Sequence, residues 1–143
     1  MSKAYADTSF LVAMFVNEPR SEDAIERLTA LEANLYVGWF SAFELRNTIR
    51  ALRFREVLRD EEATAVLESF EAWRSDGRLA PAQVSTARLA AWAESLSHTT
   101  TPQIGARGMD LLHIAFAIEL SAQVFLTYDQ RQARVARRAG LQT

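Results

Sequence analysis

The chain has 143 residues, 49% of them hydrophobic, and its 16 Lys plus Arg nearly cancel 18 Asp plus Glu, for a formal net charge of -2. This length and apolar content suit one globular domain over residues 1–143, and the charge balance excludes the globally basic surface that by itself marks a nucleic-acid binder. With no cysteine and only two histidines, disulfide scaffolds, thiol catalysis and cysteine-ligated metal centres are excluded, so any metal must be held mainly by oxygen.

In chain order, Ala4-Tyr5-Ala6 reads as a short strand running into Asp7, and Phe10 to Val16 as a buried helix closed by Asn17-Glu18-Pro19. That apolar run is far short of the roughly 20 residues a membrane span needs, and Asp7 argues against a signal peptide. A soluble cytoplasmic protein without membrane contact is expected. Ser21 caps a second helix bearing Ala24, Ile25, Leu28 and Leu31. Leu35 to Gly38 is the second strand, followed by a helix from Ser41 with Leu45, Ile49 and Leu52 on one face, and another from about Asp60 to Arg74. Leu79 to Val84 is a weak strand that Pro81 places near an edge.

A helix over Thr86 to Leu96 precedes His98 to Gly108, whose threonines, proline and glycines read as an exposed loop. Asp110 opens an apolar, central helix from Leu111 to Leu120. Val124-Phe125-Leu126 is the clearest strand, ending at Thr127-Tyr128-Asp129, and an arginine-rich helix runs from there to Ala139. Strands alternating with helices imply right-handed βαβ units. The expected class is α/β, a three-layer α/β/α sandwich around a small, mainly parallel sheet of about four to five strands.

In such a sheet ligands bind beyond the carboxyl ends of the strands, where Asp7, Glu44, Asp110 and Asp129 are expected to converge. Four unpaired acids in one desolvated pocket repel, and divalent cations with oxygen ligands, Mg²⁺ or Mn²⁺, are an economical compensation. Such ions support phosphodiester hydrolysis. Each acid also has a structural reading. Asp7 and Asp129 can cap helices, the latter with Gln132 completing a capping box; Ser41 to Glu44 is itself a capping-box pattern; Asp110 suits a helix N-terminus.

Four segments carry a further signal: Ala4-Tyr5-Ala6-Asp7-Thr8-Ser9, Ser41-Ala42-Phe43-Glu44-Leu45, Arg107-Gly108-Met109-Asp110-Leu111-Leu112-His113-Ile114-Ala115, and Phe125-Leu126-Thr127-Tyr128-Asp129. In content and order they resemble the motifs of PIN-domain ribonucleases, and the length matches the compact VapC-like toxins of toxin–antitoxin pairs. The resemblance implies an endoribonuclease that binds one or two Mg²⁺ or Mn²⁺ ions and cleaves structured RNA, tRNA or rRNA, to 5′-phosphate and 3′-hydroxyl products. Carried over, Asp7 and Asp110 are the direct ligands, Glu44 and Asp129 complete the site directly or through water, and Thr8, Ser9 and Thr127 orient the carboxylates. It also implies a cognate antitoxin encoded nearby and a homodimer. A non-catalytic PIN-like module that binds RNA or protein is the alternative.

Two departures stand out. Gln130-Arg131-Gln132-Ala133 replaces the acidic and aromatic residues that often follow the fourth acid, and little chain remains after Gly140-Leu141 for a last edge strand. Among the other candidates, Arg107 pairs with Asp110 or reaches substrate, whereas Arg46, Arg50 and Arg53 form a stripe pointing away from Glu44. Arg55 and the arginines of the last helix are candidate phosphate contacts. His113 reads as a packed histidine on an apolar helix. Trp39, Phe40, Phe43 and Phe54 exceed what one small domain hides, so part of this set is expected at a homodimer interface or an antitoxin groove.

Overall fold

The computed structural model describes residues 1–143. Its elements run β1 (Ser2–Ala6), α1 (Thr8–Phe15), α2 (Ser21–Thr29), β2 (Ala33–Val37), α3 (Trp39–Phe54), α4 (Asp60–Ser75), β3 (Ala80–Pro81), α5 (Thr86–Ile104), α6 (Gly108–Glu119), β4 (Val124–Leu126) and α7 (Gln130–Arg138). The four strands lie in the order β3-β2-β1-β4, and every pairing is parallel.

Period-two alternation sends successive side chains to opposite faces of the sheet and so builds two cores. Ala4, Ala6, Leu35, Val37 and Leu126 pack with Phe10 and Leu11 of α1, Leu45 and Ile49 of α3, and Phe70 of α4. Tyr5 and Phe125 point the other way, into Leu89 and Leu96 of α5, Ile114 and Phe116 of α6, and Val135 of α7. The result is the three-layer α/β/α architecture, with β1 buried at the centre. Tyr5 stacks between Phe116 and Phe125, a fully buried aromatic set in which each ring contributes on the order of 1.5–3 kcal/mol. No helix is long and apolar enough to cross a membrane.

The structure corrects several local expectations. His98 to Gly108 is mostly helix, not loop: α5 continues to Ile104. The hydroxyls of Thr99 and Thr100 donate back to the carbonyls of Ser95 and Leu96 at 2.9 and 2.6 Å, and Pro102 sits in the last turn, where it forgoes one backbone hydrogen bond without ending the helix. Gly105, at φ 69°, then ends the helix in the left-handed conformation. Helix α3 starts at Trp39 rather than Ser41, because Gly38 takes the extended cap position.

Phe40 is buried beside His113 and is no surface residue; Trp39, Phe43 and Phe54 are exposed, at 65%, 56% and 88%. The last edge strand reduces to one parallel bridge, Gln142 to Val124, in which Phe125 N–H donates to the Gln142 carbonyl at 2.7 Å.

Candidate functional site

Strands β1 and β4 are neighbours and end together, the Asp7 N–H donating to the Leu126 carbonyl at 3.0 Å. Helices α1 and α7 start immediately beyond them, so the side chains at these junctions face one crevice. Asp7, Glu44, Asp110 and Asp129 all line one polar cleft of about 150 Å³. Asp7, Asp110 and Asp129 stand at helix N-termini, where the exposed N–H groups partly offset negative charge. Larger surface pockets exist: one of about 480 Å³ between α2, β2 and α4 is mostly apolar, and one of about 780 Å³ at the α3–α4 junction mixes Arg50, Arg53 and Arg59 with Glu56, Asp60 and Glu61, so that charges of both signs meet there and no all-acidic cluster forms.

Asp7, 2% exposed, caps α1 through Oδ1, which accepts from Phe10 N–H at 2.9 Å and from Ser9 Oγ at 2.7 Å. Its Oδ2 accepts from Thr127 Oγ1. Burial pushes its pKa up, and the bonds from Thr127, Phe10 N–H and Ser9 offset part of that rise. Thr127 Oγ1 also accepts from Asp129 N–H at 3.0 Å, and Asp129 caps α7 by accepting from Gln132 N–H at 2.9 Å. The caps foreseen for Asp7 and Asp129 therefore form, and capping leaves both carboxylates in the cleft wall.

Glu44 differs. Because α3 begins at Trp39, Glu44 lies in its second turn and the Ser41 capping box does not form; the Ser41 hydroxyl instead pairs with the Tyr5 hydroxyl at 2.6 Å. Glu44 Oε1 accepts from Thr8 Oγ1 and from His113 Nε2, both at 2.6 Å. Partial burial pushes the Glu44 carboxyl up, but the His113 and Thr8 hydrogen bonds together outweigh it and hold the pKa below the ordinary value.

Asp110 is the third residue of α6, with Oδ2 accepting weakly from Arg107 N–H at 3.3 Å and Oδ1 from Gln132 Nε2 at 3.2 Å. Gln132 thus leaves its expected capping-box role and reaches across to Asp110. Arg107, 71% exposed in its side chain, lies 3.5 Å from Asp110 and 3.9 Å from Asp129. Two of the three stripe arginines are engaged elsewhere: Arg46 pairs with Glu71 on α4, and Arg53 with Asp60. Arg131 Nη1 donates to the Gly105 carbonyl, and Arg55 Nε to the Ala51 carbonyl.

Two polar cleft residues were not read as such from sequence, His113 and Gln132. The available signal was spacing, since His113 follows Asp110 by one helical turn and Gln132 is one turn into α7.

The donor set can be tested against a divalent ion. It is built of oxygens, Gln132 Oε1 is buried without a hydrogen-bond partner, and the one cation at the rim is the exposed Arg107. No group of three or more His, Asp and Glu side chains already encloses a common point. These features fit a hydrated Mg²⁺ or Mn²⁺ held directly by one or two carboxylates, with water completing its shell, and not a closed protein cage.

Residues 4–138 match the family model of the PIN domain. The chain belongs to the PIN-domain family. Solved PIN-fold structures agree: VapC20 of Mycobacterium tuberculosis, described as a sarcin-ricin loop cleaving toxin, matches with a TM-score of 0.68 at 16% identity over 96% of this chain and 95% of that one. VapBC2 of Rickettsia felis, bound to a DNA fragment from its promoter, matches at 0.68 and 19% over 98% and 96%. FitAcB of Neisseria gonorrhoeae matches at 0.67 and 20% over 94% and 93%. At these identities the likeness is one of fold. No curated protein matches the chain.

Proposed function

We propose that this PIN-domain chain is a Mg²⁺- or Mn²⁺-dependent endoribonuclease, the toxin of a cytoplasmic toxin–antitoxin pair. Its substrate is structured RNA, tRNA or rRNA, hydrolysed to 5′-phosphate and 3′-hydroxyl products. The observation that carries the reading is the convergence of Asp7, Glu44, Asp110 and Asp129 from four separate segments into one small cleft, with burial raising the Asp7 pKa. A single domain over residues 1–143 contains the whole site.

Asp7 and Asp110 would hold one or two ions, with Glu44 and Asp129 completing the set directly or through water, and the bound metal would supply charge neutralisation at the scissile phosphate and activation of water. The chain's own groups hold the carboxylates still. Thr127, Ser9 and the Phe10 N–H fix Asp7, Thr8 and His113 fix Glu44, and Gln132 fixes Asp110. Arg107 stands over the rim, free enough in solvent to meet an incoming phosphate as a planar fork. Exposed Trp39 and Phe43 on α3 and Met109 beside the cleft offer apolar surface to an antitoxin or a second copy. The VapBC2 and FitAcB fold neighbours support the antitoxin assignment.

The test is cleavage of total RNA by the purified chain with Mg²⁺ or Mn²⁺, with EDTA, and by Asp110→Asn. Activity is expected to need the metal and to fall by at least about 100-fold in the variant, the scale of losing one stabiliser of transition-state charge, with the circular dichroism unchanged. Equal cleavage in EDTA, or by the variant, overturns the proposal. RNA binding without metal affinity would mark the non-catalytic module instead.

A further inference from the structure

The reading of the cleft as a divalent-metal site raises the question of what aims Glu44 into it. Resting on that reading, we propose that His113 is a positioning residue for Glu44: it clamps Oε1 and leaves Oε2 free for the ion.

The proton inventory is constrained. A carboxylate has no proton to give, so His113 Nε2 is the donor to Glu44 Oε1 at 2.6 Å, and Thr8 Oγ1 donates to the same oxygen at 2.6 Å. The donation from Nε2 to Glu44 holds whether the ring carries one proton or two, and in the singly protonated ring Nδ1 is an acceptor. Two hydroxyls approach it, Ser41 Oγ at 3.1 Å and Tyr5 OH at 3.2 Å, and these are 2.6 Å from each other. In that tautomer, whichever hydroxyl donates to Nδ1 accepts from the other, so both hydroxyl protons are used.

At the carboxylate end the direction of donation is fixed, from the imidazole to Glu44. Both bonds fall on Oε1, and Oε2 carries none, while the Glu44 side chain keeps 29% of its surface exposed. A carboxylate gripped by one oxygen and bare at the other presents a defined lone pair to the cleft.

The placement of the ring reinforces this. His113 is 3% exposed and pinned between the Phe40 ring at 4.9 Å and the Tyr5 ring at 6.1 Å. It sits on α6, one turn beyond Asp110, while Glu44 and Ser41 belong to α3. The His113–Glu44 bond is therefore a strut between the two helices that carry Asp110 and Glu44, and it sets the separation of those acids. An apolar side chain would fill the same space without tying the helices together or orienting the carboxylate.

The experiment is a Mn²⁺ titration by calorimetry on the full chain. His113→Asn keeps a polar atom near the Nδ1 position toward Ser41 but is too short to reach Glu44, whereas His113→Gln places an amide N–H near the Nε2 position. Expected are a 10–100-fold weaker Mn²⁺ affinity in His113→Asn, the scale for lost partners of metal-binding side chains, and recovery of most of it in His113→Gln. In a Glu44→Gln background His113→Asn adds no further loss. Should His113→Asn not fold, His113→Leu is read by the same criteria. Wild-type affinity in the Asn variant, or the same additional loss without the Glu44 carboxylate, overturns the inference while leaving the metal site standing. Absence of Mn²⁺ binding by the wild-type chain overturns the metal site and this inference with it.

Discussion

Asp7 and Glu44 line the same cleft, yet their surroundings act on the proton in opposite directions. Asp7 is almost fully buried and held by hydroxyls and one backbone N–H; desolvation dominates, and the carboxyl is pushed up. Glu44 is only partly buried and accepts from an imidazole as well as a hydroxyl, so its carboxyl is held down despite desolvation. One pole of the cleft stores charge that the apo fold disfavours, and the other is prepared to be anionic. An acidic cluster is thus not one electrostatic object but carboxylates tuned singly by what touches them.

The largest disturbance of this contrast is expected from Gly38→Ala. Gly38 has φ -77°, so the backbone would accept alanine, but an added Cβ would meet the Phe116 ring at 2.9 Å. Overpacking of this kind costs about 1–3 kcal/mol, readable by chemical denaturation. The strain falls between the start of α3 and α6, so the Glu44 pole should be displaced while Asp7 keeps its β1–β4 setting. Unaltered stability would show that Phe116 has room to move.

Next is the pH dependence of stability in the metal-free protein, measured as thermal midpoints in EDTA. For Asp7 the folded pKa is raised, so the folded state binds the proton more tightly, and stability falls as pH rises from the unfolded carboxylate value through the folded one. Asp7→Asn keeps a good helix cap and removes the buried charge, so it should melt higher than wild type at neutral pH, with the gain fading in acid. For Glu44 the folded pKa is lowered, so its contribution is present above the unfolded value and lost as pH falls through the folded one. Glu44→Gln should therefore melt lower at neutral pH and converge with wild type in acid. The same sign for both variants would erase the contrast.

The smallest effect is expected from Arg53→Ala, which removes an ion pair to Asp60 whose two members are 57% and 69% exposed. Exposed pairs contribute little, and this one is remote from the cleft. Its thermal midpoint and Mn²⁺ affinity should stay near wild type, which makes it the control for the variants above.

Much of the fold was legible because the relevant signals are local. Alternation in β1 and β4 and the apolar spacing in α3 and α6 report elements from near neighbours alone, and strand-end Asp7 and Asp129 follow from the parallel topology. The failures have equally definite causes. His98 to Gly108 has loop composition, but two of its threonines bond back along the helix, and its proline lies only two residues before the helix end and costs a single backbone hydrogen bond. Phe40 looked like a neighbour of exposed Trp39, whereas one residue's rotation around α3 puts it in the core. His113 was correctly read as packed, but its partner is 69 residues away in sequence.

What the amino-acid sequence determined by itself is the inventory and the order: strands and helices that wind into a parallel three-layer sheet, carboxylates without thiols, and Asp7, Asp110 and Asp129 at strand ends and helix starts. What only the tertiary structure decided is the state of those acids: which is desolvated, which meets an imidazole, and which oxygen is left bare. Periodicity and capping depend on residues within a few positions of each other, whereas burial and hydrogen bonding depend on surfaces brought together from α3, α6, β1 and β4, and no local pattern encodes those meetings.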